Sequence, residues 1–271
     1  MRRVVQVWVP DDPADRAAEP RTDGTGYLVA PRAVLTARHV VEAALTEWPS
    51  DSSVAVHRLK VCPLGERGER QQSWLAARVT WHNEALDVAL LEVLEGETDV
   101  MDLAPWAEVQ GDVAVLAVGF PIVEQGPDLL DEAEQITGRV NFGSRWKRNQ
   151  LVVDLTSAVA YLPEESDVKS PWEGMSGAAL LADQRVIGVI IQERGPYLGR
   201  RLLATPATEI VEAEGFRDAA AVLGLHPQLG LVGVPSRGRL EPPTLPPRSM
   251  TGNSAERVAV AAVGWLANRG G

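Results

Sequence analysis

Short runs of alternating apolar and polar residues recur along the first 205 positions of this 271-residue chain, and they predict β-strands. Successive side chains of a strand face opposite sides of a sheet, so such alternation indicates a strand with one buried face. Segments rich in Pro, Gly and Asp separate the runs, which is typical of a β-barrel. The predicted strands are residues 2–9, 26–29, 33–36, 54–63, 73–81, 87–93, 112–120, 135–142, 150–155, 186–191 and 201–205.

Helical spacing replaces this alternation in three places. Residues 40–48 predict a short helix that Pro49 stops. Apolar residues at 210, 211, 213, 216, 220 and 223 predict a helix that Gly215 interrupts. Ser254 to Asn268 predicts a last helix, which follows a polyproline-like stretch at 242–247.

A loop-like segment after Leu94 divides the strands into two sets of similar size. The predicted organisation is an N-terminal β-barrel at 1–105, a C-terminal β-barrel at 106–205, a closing helix at 206–224, a Pro-rich linker at 225–252 and a C-terminal helix at 253–271.

Charge and cysteine content narrow the classes of function. The net charge is −11, which argues against a nucleic-acid surface. One cysteine cannot form an intrachain disulfide, which favours a reducing compartment. The N-terminus lacks the apolar region and cleavage site of a signal peptide, and no apolar run reaches the roughly 18 residues of a membrane span. We therefore expect a cytoplasmic protein that binds neither nucleic acid nor membrane. No cysteine or histidine pair has metal-ligand spacing, and we expect no cofactor or metal.

Candidate chemistry lies in the stretch Glu173-Gly174-Met175-Ser176-Gly177-Ala178-Ala179. An exposed nucleophile needs a sharp turn, and glycine permits the backbone angles of such a turn. The same turn can aim backbone N–H groups at a developing oxyanion. By itself, however, the pattern also fits an ordinary glycine-containing turn between two strands.

Two further stretches supply a histidine and an aspartate. His39 follows Thr36-Ala37-Arg38, and Asp87 lies within Leu86-Asp87-Val88-Ala89-Leu90-Leu91. Taken alone, His39 could be a surface residue and Asp87 a strand-end cap. The order His, Asp, Ser is that of the chymotrypsin clan, whereas subtilisins and α/β-hydrolases use other orders. Over roughly residues 1–215, the chain resembles a trypsin-like serine protease of the bacterial intracellular kind.

The resemblance implies an all-β fold of two six-stranded antiparallel β-barrels, chymotrypsin-like, with the active site between them and C-terminal helices. His39, Asp87 and Ser176 would be the catalytic triad, and the N–H groups of Gly174 and Ser176 the oxyanion hole. Met175 replaces an aspartate that in many relatives pairs with a freed N-terminal amine. We therefore expect that competence needs no N-terminal proteolysis, although a partner could order the loops at 121–134 and 161–172.

Substrate-binding positions also follow from the resemblance. The pocket floor is expected at Ser170, and its wall at Ile191, Gln192 and Glu193. A neutral floor argues against a trypsin-type pocket, so we expect small or medium apolar P1 residues. Glu193 could narrow the pocket or could pair with a basic P1 side chain.

The sequence is compatible with two functions. The first is a serine endopeptidase that cleaves protein or peptide substrates, as the protease effector of a bacterial stress or defence system with a sensor or regulatory protein as partner. The second is a binding scaffold that kept the fold and lost turnover. The C-terminal segment at 253–271 does not distinguish between these two functions. Their predicted helix is apolar on nearly every side, so it should dock on the protease body or contact a partner.

Overall fold

The computed structural model describes residues 2–10, 23–46, 59–64, 74–94, 96, 98, 100–121, 133–141, 149–157, 170–193 and 200–233. These residues all belong to one compact unit that spans Met1–Pro235. The predicted tail helix at 253–271, the loop at 161–169 and most of the loop at 121–134 lie outside the described residues.

Six antiparallel strands close the first barrel, in the order β1-β2-β3-β6-β5-β4 with β4 paired back to β1. Valine, leucine and alanine from these strands fill its interior because alternate side chains face inward. The strands are β1 (Val4–Trp8), β2 (Gly24–Ala30), β3 (Ala33–Ala37), β4 (Lys60–Pro63), β5 (Leu75–Asn83) and β6 (Val88–Val93).

The second barrel also has six antiparallel strands, in the order β11-β8-β9-β10-β13-β12, and the β11–β12 pairing closes it. Its strands are β8 (Val113–Gly119), β9 (Glu134–Val140), β10 (Leu151–Leu155), β11 (Ala179–Ala182), β12 (Arg185–Glu193) and β13 (Arg201–Pro206). Together the two barrels confirm the predicted all-β, chymotrypsin-like fold class.

Two more strands extend the second sheet in parallel. The strand β7 (Trp106–Val109) pairs with the start of β12, and β14 (Leu229–Val232) pairs with β7. The sequence analysis placed residues 229–232 in the Pro-rich linker, whereas the structure has them as this strand. Its four residues carry no clear alternation, and the pairing with β7 bridges residues more than 120 positions apart.

Short helices fill two connections. A 3-10 helix at Arg38–Val41 leads into the helix α1 (Glu42–Thr46), within the region where the sequence predicts a helix. After β13 come α2 (Ala207–Glu212) and α3 (Phe216–Val222), where the sequence predicts one interrupted helix. The break falls at Gly215, which adopts φ 75°. Among the described residues, no helix is long and apolar enough to cross a membrane.

The side chain of Phe216 joins the C-terminal helices to both barrels. Its fully buried ring meets Trp81 of β5 edge-on at 5.0 Å and Trp106 of β7 at 6.2 Å, measured between ring centroids. The indole N–H of Trp81 donates to the carbonyl of Glu214, two residues before α3 begins. The turn at Gly215 allows this approach because a left-handed glycine redirects the chain between the two helices.

We predict that Phe216→Ala lowers the free energy of unfolding by about 3–5 kcal/mol, because it empties a buried aromatic site between the barrels. Val222→Ala is the control, since Val222 lies on the same helix with 80% of its surface exposed, and its effect should stay within about 0.5 kcal/mol. Chemical denaturation measures both. Equal losses would show that α3 does not fasten the barrels.

Candidate active site

The side chains of His39 and Asp87 are joined by two hydrogen bonds. Asp87 Oδ2 lies 2.7 Å from His39 Nδ1, and Asp87 Oδ1 accepts from the backbone N–H of His39 at 2.9 Å. A carboxylate acceptor at Nδ1 favours the tautomer that carries its proton there. The Nε2 atom is then left as an acceptor, which is the state that a general base requires.

The backbone of Asp87 is in the left-handed region, with φ 53°. Aspartate tolerates this conformation better than most residues, yet it still needs support from its surroundings. The Asp87 N–H donates to Glu84 O at 3.2 Å, and Asp87 O accepts from the N–H of Arg38 at 3.0 Å. The second of these bonds ties the turn of Asp87 directly to the residue before His39.

Thr205 supports the same turn from the second barrel. This buried residue of β13 donates its hydroxyl to the carbonyl of Leu86 at 2.6 Å. Leu86 in turn donates its N–H to Asn83 Oδ1 at 3.1 Å. The sequence analysis did not single out Thr205, because a threonine in a strand gives no local sign of which barrel its hydroxyl contacts.

Ser176 lies in the segment 170–178, which we call the serine loop and which leads into β11. At Gly177, the next residue, φ is 90° and a Cβ atom would lie 1.9 Å from Thr25 O and 2.3 Å from Thr36 Oγ1. No side chain fits at that distance, so glycine is required there. The Gly177 N–H donates to Ile190 O at 2.8 Å, and Ser176 O accepts from the N–H of Thr25 at 2.9 Å.

Backbone N–H groups alternate in direction along the serine loop. Met175 donates its N–H to Trp172 O at 2.9 Å, and Gly177 donates to Ile190. Within the described residues, no acceptor meets the N–H of Gly174 or of Ser176. Gly174 adopts φ 95°, a conformation that glycine accepts without strain. The two N–H groups named by the sequence analysis are therefore the ones that remain for a ligand.

His39 and Ser176 both line a cavity of about 290 Å³, together with three of the predicted substrate-binding residues. Its lining residues are His39, Ser170, Trp172, Glu173, Met175, Ser176, Ile190, Ile191, Gln192 and Leu202. Of the predicted substrate-binding positions, Ser170, Ile191 and Gln192 lie here. Glu193 ends β12, and its side chain is outside the described residues.

The walls of this cavity are mostly apolar. Trp172, Met175, Ile190 and Leu202 are buried and were not anticipated from the sequence as lining residues. Ser170 accepts a hydrogen bond from the N–H of Trp172 at 3.0 Å, which fixes the hydroxyl beside the start of the loop. The cavity therefore combines neutral polar groups at Ser170 and Gln192 with apolar walls.

Among the described residues, the other histidines and the single cysteine do not line this cavity. His82 is exposed on β5, His226 is exposed after α3, and Cys62 is buried on β4. His57 is outside the described residues. In the part of the chain that the structure describes, no cluster of three or more His, Cys, Asp or Glu could hold a metal ion.

Comparisons with known proteins bear on the family and on the fold. Residues 24–189, more than half of the chain, match the trypsin-like peptidase domain family. The solved structure of Deg5 is similar with a TM-score of 0.53 and 16% identity, covering 80% of this chain and 89% of that one. The active form of the Rv3671c protease from M. tuberculosis gives a TM-score of 0.49 and 16% identity, covering 84% of each chain.

No curated protein matches the chain in sequence. At 16% identity, the similarity to Deg5 concerns the fold alone. The family match spans His39, Asp87 and Ser176 in their chain order, and it confirms the resemblance found from the sequence motifs. This chain therefore belongs to the trypsin-like peptidase family.

Proposed function

We propose that the protein is a serine endopeptidase that cleaves protein substrates through a Ser176, His39 and Asp87 triad and an acyl-enzyme. The observation that carries this proposal is the doubly hydrogen-bonded pair of His39 and Asp87, on the edge of a cavity that Ser176 also lines. A serine hydroxyl is a weak nucleophile until a base removes its proton, and this pair supplies an oriented base.

In the acylation step, His39 Nε2 takes the proton of Ser176 Oγ as that oxygen attacks the scissile carbonyl carbon. The carbonyl oxygen becomes an oxyanion and accepts hydrogen bonds from the N–H groups of Gly174 and Ser176. When the tetrahedral intermediate collapses, the C–N bond breaks and His39 returns its proton to the leaving amine. The acyl group then remains on Ser176.

Deacylation repeats these events with water. His39 removes a proton from a water molecule, whose oxygen attacks the acyl carbon, and the proton returns to Ser176 Oγ as the ester bond breaks. Asp87 keeps the imidazole in one tautomer and stabilises the imidazolium that forms in both steps. Its carboxylate also accepts a hydrogen bond from the backbone N–H of His39, so Asp87 holds both the ring and the backbone of this residue.

For the side chain at P1, we propose small or medium apolar residues. Trp172, Met175, Ile190 and Leu202 give the cavity apolar walls, and burial of apolar surface is the main source of affinity in such a pocket. Ser170 and Gln192 offer hydrogen bonds but no charge. Among the described lining residues, the one carboxylate is on Glu173, which is exposed.

The cellular role that we propose for the protein comes from its resemblance to bacterial intracellular trypsin-like serine proteases. We propose a cytoplasmic protease effector of a bacterial stress or defence system, with a sensor or regulatory protein as its partner. The single cysteine, Cys62, supports a reducing compartment, because one cysteine cannot form an intrachain disulfide and this one is buried on β4. The alternative, a scaffold without turnover, is tested by the reactivity of Ser176.

We predict that Ser176→Ala or His39→Ala lowers the rate of peptide hydrolysis on the order of a million-fold, because each removes a member of a unit that acts together. Hydrolysis of a quenched fluorescent peptide library measures the loss, and a fluorophosphonate probe should label Ser176 in the wild type but should label neither of these two variants. His82→Ala is the control and should leave both readouts unchanged, since His82 is exposed on β5. An unlabelled wild-type protein would favour the scaffold.

Asp87→Asn should lower kcat on the order of 10⁴-fold, because an amide can hold His39 in the wrong tautomer. The matched control is Asp183→Asn in the exposed turn between β11 and β12, where the backbone also has a positive φ, 47°. This control should keep full activity. If both variants are equally active, Asp87 supports only the fold of its turn.

A cleavage-site profile from a peptide library should show Ala, Val, Leu or residues of similar size at P1, because the described walls are apolar and the floor is neutral. Mass spectrometry of the products measures the preference, and the Ser176→Ala protein gives the background. A profile dominated by Arg or Lys would contradict the proposal and would identify Glu193 as the specificity residue.

A further inference from the structure

Thr25 of the first barrel makes two hydrogen bonds to the serine loop of the second barrel. Its backbone N–H donates to Ser176 O at 2.9 Å, and its side-chain Oγ1 donates to Gly174 O at 2.7 Å. Thr25 is fully buried on β2. One residue therefore holds the loop at two alternate carbonyls, on either side of Met175.

The direction of the Thr25 hydroxyl is set by a third partner. The N–H of Phe120, just after β8, donates to Thr25 Oγ1 at 3.1 Å. A hydroxyl has one proton to give, and this arrangement directs it to Gly174 O. A Cβ atom at Gly119 would lie 2.7 Å from both Thr25 Oγ1 and Met175 Sδ, so the surroundings are too tightly packed for a water molecule to replace the hydroxyl.

These contacts fix the peptide plane between Gly174 and Met175. Its carbonyl accepts from Thr25, and its N–H donates to Trp172 O. With this plane held, the left-handed φ of Gly174, 95°, defines where the N–H of Gly174 points. If the carbonyl lost its only side-chain donor among the described residues, the glycine could rotate and turn that N–H away from the site.

We propose that Thr25 is a positioning residue, whose Oγ1 orients the oxyanion-stabilising N–H groups of the serine loop. It touches no reacting atom and acts through Gly174. This inference rests on the proposed serine-protease function, because the oxyanion first forms when Ser176 attacks a substrate carbonyl. It differs from that function in assigning part of the catalytic geometry to a strand of the other barrel.

Two substitutions of Thr25 separate the hydroxyl from the space it fills. Thr25→Val keeps the shape and removes the hydroxyl, whereas Thr25→Ser keeps the hydroxyl. Thr80→Val is the matched control, because Thr80 Oγ1 also donates to a backbone carbonyl of the first barrel, that of Leu90 at 3.0 Å, without touching the serine loop. Circular dichroism sets a temperature at which all of the variants are folded.

The readouts are the second-order rate of inactivation by diisopropyl fluorophosphate and the values of kcat and KM on one peptide of the library. For Thr25→Val, we expect the inactivation rate and kcat to fall on the order of 100-fold with KM nearly unchanged, as for a misplacement that affects only the transition state. Thr25→Ser should restore most of both rates, and Thr80→Val should match the wild type.

The inference is overturned if folded Thr25→Val reacts as fast as Thr80→Val, or if its loss lies in KM alone. Should Thr25→Val fail to fold, Thr25→Cys takes its place, since a thiol is a weak donor of similar size, and the same drop in kcat is required of it. A wild-type protein that does not react at Ser176 overturns the proposed function itself, and the inference with it.

Discussion

The contact between Gly177 and the first barrel leaves no room for any side chain, and the rest of the site depends on it. A Cβ at this position would overlap the Thr25 carbonyl and approach Thr36 Oγ1. The serine loop therefore lies directly on the strands β2 and β3, and β3 ends one residue before the helical turn of His39. The depth of Ser176 relative to His39 follows from a backbone-to-backbone contact, which has little freedom to adjust.

Each barrel supports the loop that the other contributes to the site. Thr25 of barrel 1 binds the serine loop of barrel 2, and Thr205 of barrel 2 binds the turn of Asp87 in barrel 1. Both threonines are buried, where a lost partner leaves a costly unsatisfied carbonyl. The interface thus couples the packing of the barrels to the geometry of the proposed triad, and Phe216 reinforces that packing from the C-terminal side.

Sequence patterns predicted the parts of the fold that depend on local alternation. The strand predicted at 87–93 is found at 88–93. The break in the predicted closing helix at 206–224 falls at Gly215, whose φ is positive. The strands β7, β11 and β14 were missed, because none of their four-residue sequences alternates between apolar and polar residues. For β7 and β14 the pairing is also parallel, between segments far apart in the chain.

The residues of the site likewise fall into those that local motifs predict and those that only the folded structure brings together. His39, Asp87 and Ser176 stand in motifs that can be read locally, and the structure brings His39 to Asp87 and to the cavity of Ser176. Thr25 directly precedes the predicted strand at 26–29, yet nothing in that pattern indicates that its hydroxyl crosses the interface. Trp172 and Leu202 meet in the cavity only because β12 and β13 pair beside the serine loop. Such contacts are set by tertiary packing, which a local pattern does not contain.

The reach of Thr205 to the turn of Asp87 has a consequence during synthesis. His39 and Asp87 leave the ribosome before Thr205 does, and the first barrel can begin to fold while the second is still being translated. The left-handed turn of Asp87 then lacks its hydroxyl donor until residue 205 has emerged and β13 has paired. A nascent chain consequently contains the proposed acid and base before it contains the hydroxyl that supports their turn. That hydroxyl lies 119 positions beyond Leu86, so the alignment of the proposed triad depends on the synthesis of the second barrel.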